Sequence, residues 1–136
     1  MIAKRSNQHK TRGYSDVGAE IMACLENYTD SLKTCVDEVV DDTAKELKDC
    51  IQDDSPKRTG KYKKGWRIKT LFKGHGNHRL VVHNETNYQL THLLEYGHAI
   101  DGGTKRVPAH PHIKKNEELF QEELEERIGD AISKLY

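Results

Sequence analysis

The chain has 136 residues, of which 35% are hydrophobic and 32% are charged, and its 22 Lys and Arg balance 22 Asp and Glu. A chain of this length is expected to form one domain around one core. It contains no apolar run near the roughly 18 residues of a membrane span, no signal-peptide hydrophobic centre, and no CxxC pair among its cysteines, so we expect a protein made in the cytoplasm without a membrane partner.

The first half of the chain is predicted to be one long helix behind a short arm. Residues 1–13 have almost no apolar side chains and are predicted to form a mobile basic arm, and residues 14–136 a single domain. From Ser15 to about Asp53, apolar residues recur mostly at steps of three and four, which is typical of an amphipathic helix. At about 1.5 Å per residue this helix would be about 60 Å long, so we expect it to break near Tyr28 to Ser31 or to extend past the domain. The three cysteines lie on or beside its apolar stripe and are predicted to be packed.

A hairpin is predicted next. Ser55-Pro56 ends the helix, and residues 66–73 then alternate between apolar and basic side chains, interrupted at Leu71. Residues 74–77 have the composition of a turn, and residues 78–84 alternate again. This pattern predicts an antiparallel pair of strands whose outer face is basic.

The last third is predicted to be mostly helical. Residues 87–96 indicate a short helix that Asn87 caps and Gly97 ends. An exposed loop at Gly102-Gly103 and two prolines precede a helix from Ile113 to Leu135 with an acidic outer face. The predicted fold is α+β: the long N-terminal amphipathic helix and the C-terminal helix pack on one face of a small antiparallel sheet, with a short helix between.

The net charge of zero hides two segments of opposite sign. Residues 56–83 contain nine Lys or Arg and no acid, whereas residues 14–55 contain twelve acids and three lysines. Such segments are expected to meet within one subunit, between subunits, or at a polyanion. The charged candidates for a subunit or partner contact are Lys57, Arg58, Lys61, Lys63, Lys64, Arg67, Lys69, Asp37, Glu38, Asp41 and Asp42.

Three segments occur in an order that resembles a known family. They are TGKYKKGW at residues 59–66, HLLEYGH at 92–98 and VPAHPHI at 107–113. With the strand pair between the first two and the acidic helix after the last, they resemble the HK97 gene-product-ten-like tail-component family of siphophages, whose members are also described as neck or tail-completion proteins. The resemblance covers about residues 55–135, and the long first helix is compatible with it.

The resemblance implies a structural protein of the virion and no enzyme. It implies a ring of subunits, six in number, which joins the tail to the head around the channel through which DNA passes. The implied partners are further copies of the chain, the tail tube or tail terminator protein, the head connector proteins and the DNA. Contact candidates in the matched segments are Tyr96, Gly97, His98, Pro108, His110, Pro111 and His112.

A metal site is the first alternative. Imidazoles are good zinc ligands, and four histidines cluster in sequence around Glu95. Their spacing matches no ligand pattern, and no HExxH motif is present, so we expect neither a metal nor another cofactor. These weak metal candidates are His92, His98, His110 and His112.

A nucleic-acid-binding module is the second alternative. The basic strands would contact phosphates, and Trp66 and Tyr62 would stack on bases. A pI near 7.1 lacks the basic footprint of a dedicated binder. Nucleophilic catalysis is not indicated, because the sequence has no GxSxG or P-loop motif and its cysteines have no evident base partner.

Overall fold

The computed structural model describes residues 14–74 and 77–135, with side chains from residue 17 onward. The predicted arm, residues 1–13, and the central turn residues His75 and Gly76 lie outside the described residues. No helix in the described ranges has both the length and the apolar character needed to cross a membrane. The elements are α1 Tyr14–Asp54, α2 Lys61–Lys64, β1 Trp66–Gly74, β2 Asn77–Asn84, α3 Tyr88–Tyr96, β3 His98–Ile100, β4 Lys105–Val107 and α4 Lys114–Ser133.

The predicted α+β fold is confirmed, and α1 dominates it. Helix α4 starts beside Asp54, to which Asn116 donates a hydrogen bond, and Arg127 pairs with Glu46 further along. The end of α4 lies close to Cys35, so α4 runs antiparallel along the C-terminal half of α1. The same half of α1 contacts the β1–β2 hairpin.

The N-terminal half of α1 extends past the rest of the domain. Residues 17–31, hereafter the α1 overhang, are all exposed, and Ile21 and Leu25 keep 55% and 54% of their surface in water. Helix α1 continues through Tyr28 to Ser31, so the predicted break there is wrong and the predicted extension is confirmed. The prediction that the cysteines are packed is wrong for Cys24, which lies in the overhang and is exposed. Cys35 and Cys50 are half-buried against the domain.

The hairpin β1–β2 is antiparallel, and its register runs from Trp66 opposite Asn84 to Gly74 opposite Asn77. A bulge shifts the register between Thr70 and Phe72, at the point where Leu71 interrupts the alternation. Because cross-strand partners share a face, the shift moves Phe72 to the outer face with its partner Arg79. Unbroken alternation would put Phe72 on the inner face with Trp66, and the bulge is the reason that it lies on the outer face.

A second hairpin, β3–β4, joins α3 to α4 and was not predicted. Each strand has three residues, and His98 pairs with Val107. The predicted exposed loop at Gly102-Gly103 is the connection between these strands, a 3₁₀ turn in which Gly102 and Gly103 have φ of 63° and 91°. Strands this short have too few residues for a period of two to be recognisable in sequence.

The core is small. Four large hydrophobic residues are buried among the described residues: Ile51, Tyr62, Trp66 and Phe120. Residues from α1, β2, α3 and the start of α4 pack around the first three of these. An open, mostly apolar groove of about 650 Å³ remains between α1, β2 and α4. The core therefore sits at the C-terminal end of α1, where α2, α3 and the start of α4 converge on it.

Candidate functional site

A set of buried hydrogen bonds surrounds Glu95, the penultimate residue of α3. Its carboxylate is 6% exposed and accepts hydrogen bonds from the backbone N–H groups of His112, Ile113 and Lys114, at 2.9, 3.0 and 3.0 Å. Lys114 is the first residue of α4 and Ile113 its N-cap, so two of these donors belong to the start of the helix, where Ile113 offers no side-chain cap. Burial by itself would raise the pKa of Glu95, but the three donors outweigh it and the pKa is lowered. An ionised Glu95 therefore caps a helix that begins nineteen residues later in the chain.

His112 is fully buried beside this carboxylate. Its Nδ1 lies 2.7 Å from the carbonyl oxygen of His110, which can only accept, so Nδ1 carries the proton. Its Nε2 is then the acceptor for the hydroxyl of Tyr62, at 2.6 Å. Burial lowers the pKa of His112, and burial together with the charge of Glu95 raises the pKa of Tyr62. Both groups are held neutral in the core.

Two further polar side chains join the segment after α1 to the hairpin. The indole N–H of Trp66 donates to Ser55 Oγ at 2.8 Å, and the amide of Asn84 donates to the carbonyl oxygen of Tyr62 at 2.7 Å. Asn84 also accepts from the backbone N–H of Asn87 at 2.9 Å, whereas the side chain of Asn87 makes no capping bond. The prediction that Asn87 caps α3 is therefore wrong, and its amide donates instead to Thr86 Oγ1 at 3.3 Å.

Asp54, the last residue of α1, bonds to the segment at the start of α4. Asn116 of α4 donates to the Asp54 carboxylate at 2.9 Å and to the carbonyl oxygen of His112 at 2.8 Å. The ring of His110 reaches the carbonyl oxygen of Asp54 at 3.0 Å. The hydrogen bond from Asn116 and the ammonium of Lys115 lower the pKa of Asp54.

Gly97 is required where α3 turns into β3. It has φ of 74°, and a Cβ there would lie 2.5 Å from the carbonyl oxygen of Val107. The positive φ and the close backbone explain why the Glu95-Tyr96-Gly97 turn needs glycine at its end.

We call this set the helix-end clasp; its members are Asp54, Ser55, Tyr62, Trp66, Asn84, Glu95, His112 and Asn116. The clasp joins the ends of four helices and one hairpin. Its polar side chains are engaged with one another, and its acid, imidazole and phenol hold their partners in fixed positions. The arrangement supports packing of the chain, and nothing in it activates a nucleophile.

One comparison with known proteins covers the part of this clasp that precedes His98. A family model described as "Bacteriophage HK97-gp10, putative tail-component" matches residues 19–97, more than half of the chain. The chain belongs to the HK97-gp10-like family. Searches of curated proteins and of solved structures found no match.

Membership in the HK97-gp10-like family makes the chain a tail component of a bacteriophage, a structural protein of the virion. The match begins in the α1 overhang and ends at Gly97, so it includes Tyr62, Trp66, Asn84 and Glu95 of the clasp. It reaches further toward the N-terminus than the resemblance over residues 55–135, and it stops before the segment that contains His112.

The predicted contact residues of this family member fall into two environments. Six of the basic candidates are exposed, and Lys63 is half-buried. Glu38 and Asp42 are exposed, Asp37 is half-buried, and Asp41 lies 2.7 Å from the ring of His78 on β2. At this point an acidic residue of α1 contacts β2 within one chain. The exposed basic candidates are Lys57, Arg58, Lys61, Lys64, Arg67 and Lys69.

The candidates from the matched segments divide in the same way. Four of them are exposed, Gly97 and His98 are half-buried, and His112 has no exposed surface. A side chain without exposed surface cannot touch a partner, so His112 is a core residue and the prediction that it contacts a partner is wrong. The exposed four are Tyr96, Pro108, His110 and Pro111.

The weak metal candidates serve four separate purposes. The ring of His92 lies against Tyr96, with centroids 5.2 Å apart, and His98 begins β3. His110 bonds to Asp54 and His112 to Tyr62. Within residues 17–74 and 77–135, no three His, Cys, Asp or Glu side chains are grouped as a metal ion requires.

The nucleic-acid alternative loses its stacking groups. Trp66 and Tyr62 are only 2% and 6% exposed, so neither can stack on a base, and that prediction is wrong. The sequence indicated Glu95 as part of the HLLEYGH segment and as a neighbour of the metal candidates, and it did not indicate the hydrogen bonds of Asn84, Asn116 and Ser55. The available signal was an acid in the apolar stretch from Leu93 to Gly97, because an acid at an inward helical position needs donors.

Proposed function

We propose that this chain joins the tail to the head of its virion as a ring of six copies around the channel through which DNA passes. The family membership supports a structural role in the tail, and the surface of the chain supports assembly. Other copies, the tail tube or tail terminator protein, the head connector proteins and the passing DNA are the proposed partners. The protein would be made in the host cytoplasm, act in the neck of the virion and have no catalytic role.

The observation that carries this proposal is the α1 overhang. Its fifteen residues extend about 22 Å at about 1.5 Å per residue, and every one of them is exposed. Isolated exposed apolar residues are ordinary, but a continuous row on a projecting helix marks a protein contact. A small core combined with such a row is expected of a subunit that is completed by its neighbours.

A phage that encodes this chain provides the test. Inactivating the gene is expected to give DNA-filled heads and finished tails that remain separate by electron microscopy. Adding the purified protein to that lysate should restore infectious particles, whereas heat-denatured protein should not. Joined virions in the absence of the protein, or the absence of tails altogether, would contradict a joining role.

A further inference from the structure

The α1 overhang has a defined chemistry: it is apolar on one side and acidic beside it. Val17, Ile21 and Leu25 follow one another at steps of four and keep about half of their surface exposed. Residues 17–31 contain three acids, among them Glu26 and Asp30, and no Lys or Arg. A surface that covers this row must be apolar at its centre and positive at its edge.

The outer face of the β1–β2 hairpin has that chemistry. Phe72 and Val81 are 46% and 37% exposed there, and Leu71, at the bulge, is 51% exposed. Lys69, opposite Val81, and Arg79, opposite Phe72, lie beside them. Residues 66–74 and 77–84 contain no Asp or Glu, so the strands carry positive charge only on this face. The nearest acid in sequence is Glu85, which follows β2 and lies 3.7 Å from Arg67 at the far end from Phe72.

The two surfaces cannot meet within one copy. The C-terminal half of α1 lies on the inner face of the hairpin, where His78 contacts Asp41. The overhang continues the same uninterrupted helix away from that contact. It therefore cannot fold back onto the outer face of its own hairpin.

Charge separates this pairing from the other ways of covering the overhang. Two overhangs packed together would place acidic helices side by side. The outer face of α4 is also acidic, with Glu118, Glu122 and Glu126 exposed. Like charges held in contact cost free energy, and opposite charges around an apolar centre favour association.

We propose that the α1 overhang of one copy docks on the outer face of the β1–β2 hairpin of the next copy. This inference rests on the proposed ring and names the contact that builds it. Because the two surfaces differ, the contact is heterologous, and repeating it produces a closed ring or a filament. The basic face of the hairpin is then covered by the neighbouring subunit and does not line the channel.

A disulfide trap tests the contact directly, because Cys24 is a native exposed thiol in the overhang. Val81→Cys is introduced into a chain in which Cys35→Ser and Cys50→Ser remove the other thiols, and the purified protein is oxidised. The expected product is a ladder of linked copies on a non-reducing gel, because each copy then carries one thiol on each surface. The matched control is Glu122→Cys in the same background, which places the second thiol on the outer face of α4 and should give no ladder.

A charge exchange tests the same contact without new thiols. Glu26→Lys with Asp30→Lys, or Lys69→Glu with Arg79→Glu, is expected to weaken assembly at low salt about tenfold or more by light scattering. The chain that carries all four substitutions should assemble again. The control Glu122→Lys with Glu126→Lys changes as many charges on α4 and should assemble like the unmodified chain.

The outcomes separate this inference from the proposed function. If the chain forms a ring-sized particle that gives no ladder, and neither pair of charge substitutions weakens its assembly, the docking site is overturned and the ring remains. Disulfide-linked dimers formed by Cys24 alone would mean that overhangs pair with one another. A ladder from Gln121→Cys would place the overhang in the apolar groove. Either result overturns the proposed docking site. An unmodified chain that stays monomeric at every concentration also overturns it. If the contact forms but charge variants that cannot assemble still join heads to tails, the contact stands and the ring function fails.

Discussion

The two halves of α1 share one helical periodicity of apolar residues but differ in how far those residues are buried. In the C-terminal half, Ile51 is 3% exposed and packs with Tyr62 and Trp66, whereas in the N-terminal half Ile21 is 55% exposed. The difference lies in what covers the stripe, since α4 runs along one half only. An amphipathic pattern thus predicts that one face of a helix will be buried, but it does not predict whether the packing partner belongs to the same chain.

The largest expected effect compares the same substitution in both halves. Ile51→Ala should lower the free energy of unfolding by about 2–5 kcal/mol, because it leaves a cavity in a small core. Ile21→Ala is expected to change it by less than about 0.5 kcal/mol, as is usual at exposed positions. Urea unfolding followed by circular dichroism, at dilutions where the chain is monomeric, measures both. Equal losses would mean that the overhang is packed within its own chain.

A smaller effect is expected at the clasp. Glu95→Gln removes the charge that caps α4 and sets an amide N–H₂ against backbone donors, so stability should fall by about 1–3 kcal/mol. Glu118→Gln, on the exposed side of the same helix, is the control and should have little effect. If both variants unfold at the same urea concentration, Glu95 does not hold the start of α4.

Stability is also expected to fall as the pH is lowered, and the pKa values of two clasp residues set the pH range of that fall. The pKa of His112 is lowered from its ordinary 6.5 and that of Glu95 from 4.5, so the unfolded chain binds protons more readily than the folded chain. The contribution of His112 is complete above pH 6.5 and is lost as pH falls through its folded pKa, and that of Glu95 is lost in the same sense below pH 4.5. Melting temperatures from pH 8 to pH 4 measure this, and His112→Gln should flatten the first part of the decline. A decline near pH 6 that is unchanged in His112→Gln would assign it to another group.

The smallest effect concerns thiol reactivity and leaves stability unchanged. Burial, followed by the nearby acids Asp54 and Asp53, raises the pKa of Cys50, whereas Cys24 is exposed in the overhang. In dilute protein Cys24 should therefore react first with a thiol reagent, and Cys50 more slowly. Mass spectrometry of partly labelled protein identifies the order. Denaturation should abolish the difference, and slow labelling of Cys24 at high protein concentration would indicate that a neighbour covers it.

Much of the fold was predictable from local patterns. The helical stripe of α1, the turn composition between the strands and the two prolines before α4 each act over a few residues, so their bounds could be predicted closely. The clasp could not, because Glu95 and Lys114 are far apart in sequence and meet only in the folded chain. A buried acid and a buried histidine look the same in sequence as exposed ones.

The sequence by itself determined the order of helices and strands, the basic outer face of the hairpin and the family resemblance. These depend on periodicity, charge and short segments, all of which are local. Only the tertiary structure decided that α4 covers one half of α1, that the bulge at Leu71 turns Phe72 outward, and that His112 is a core residue. The physical reason is that burial is a property of what packs against a side chain, and that neighbour is often distant in sequence.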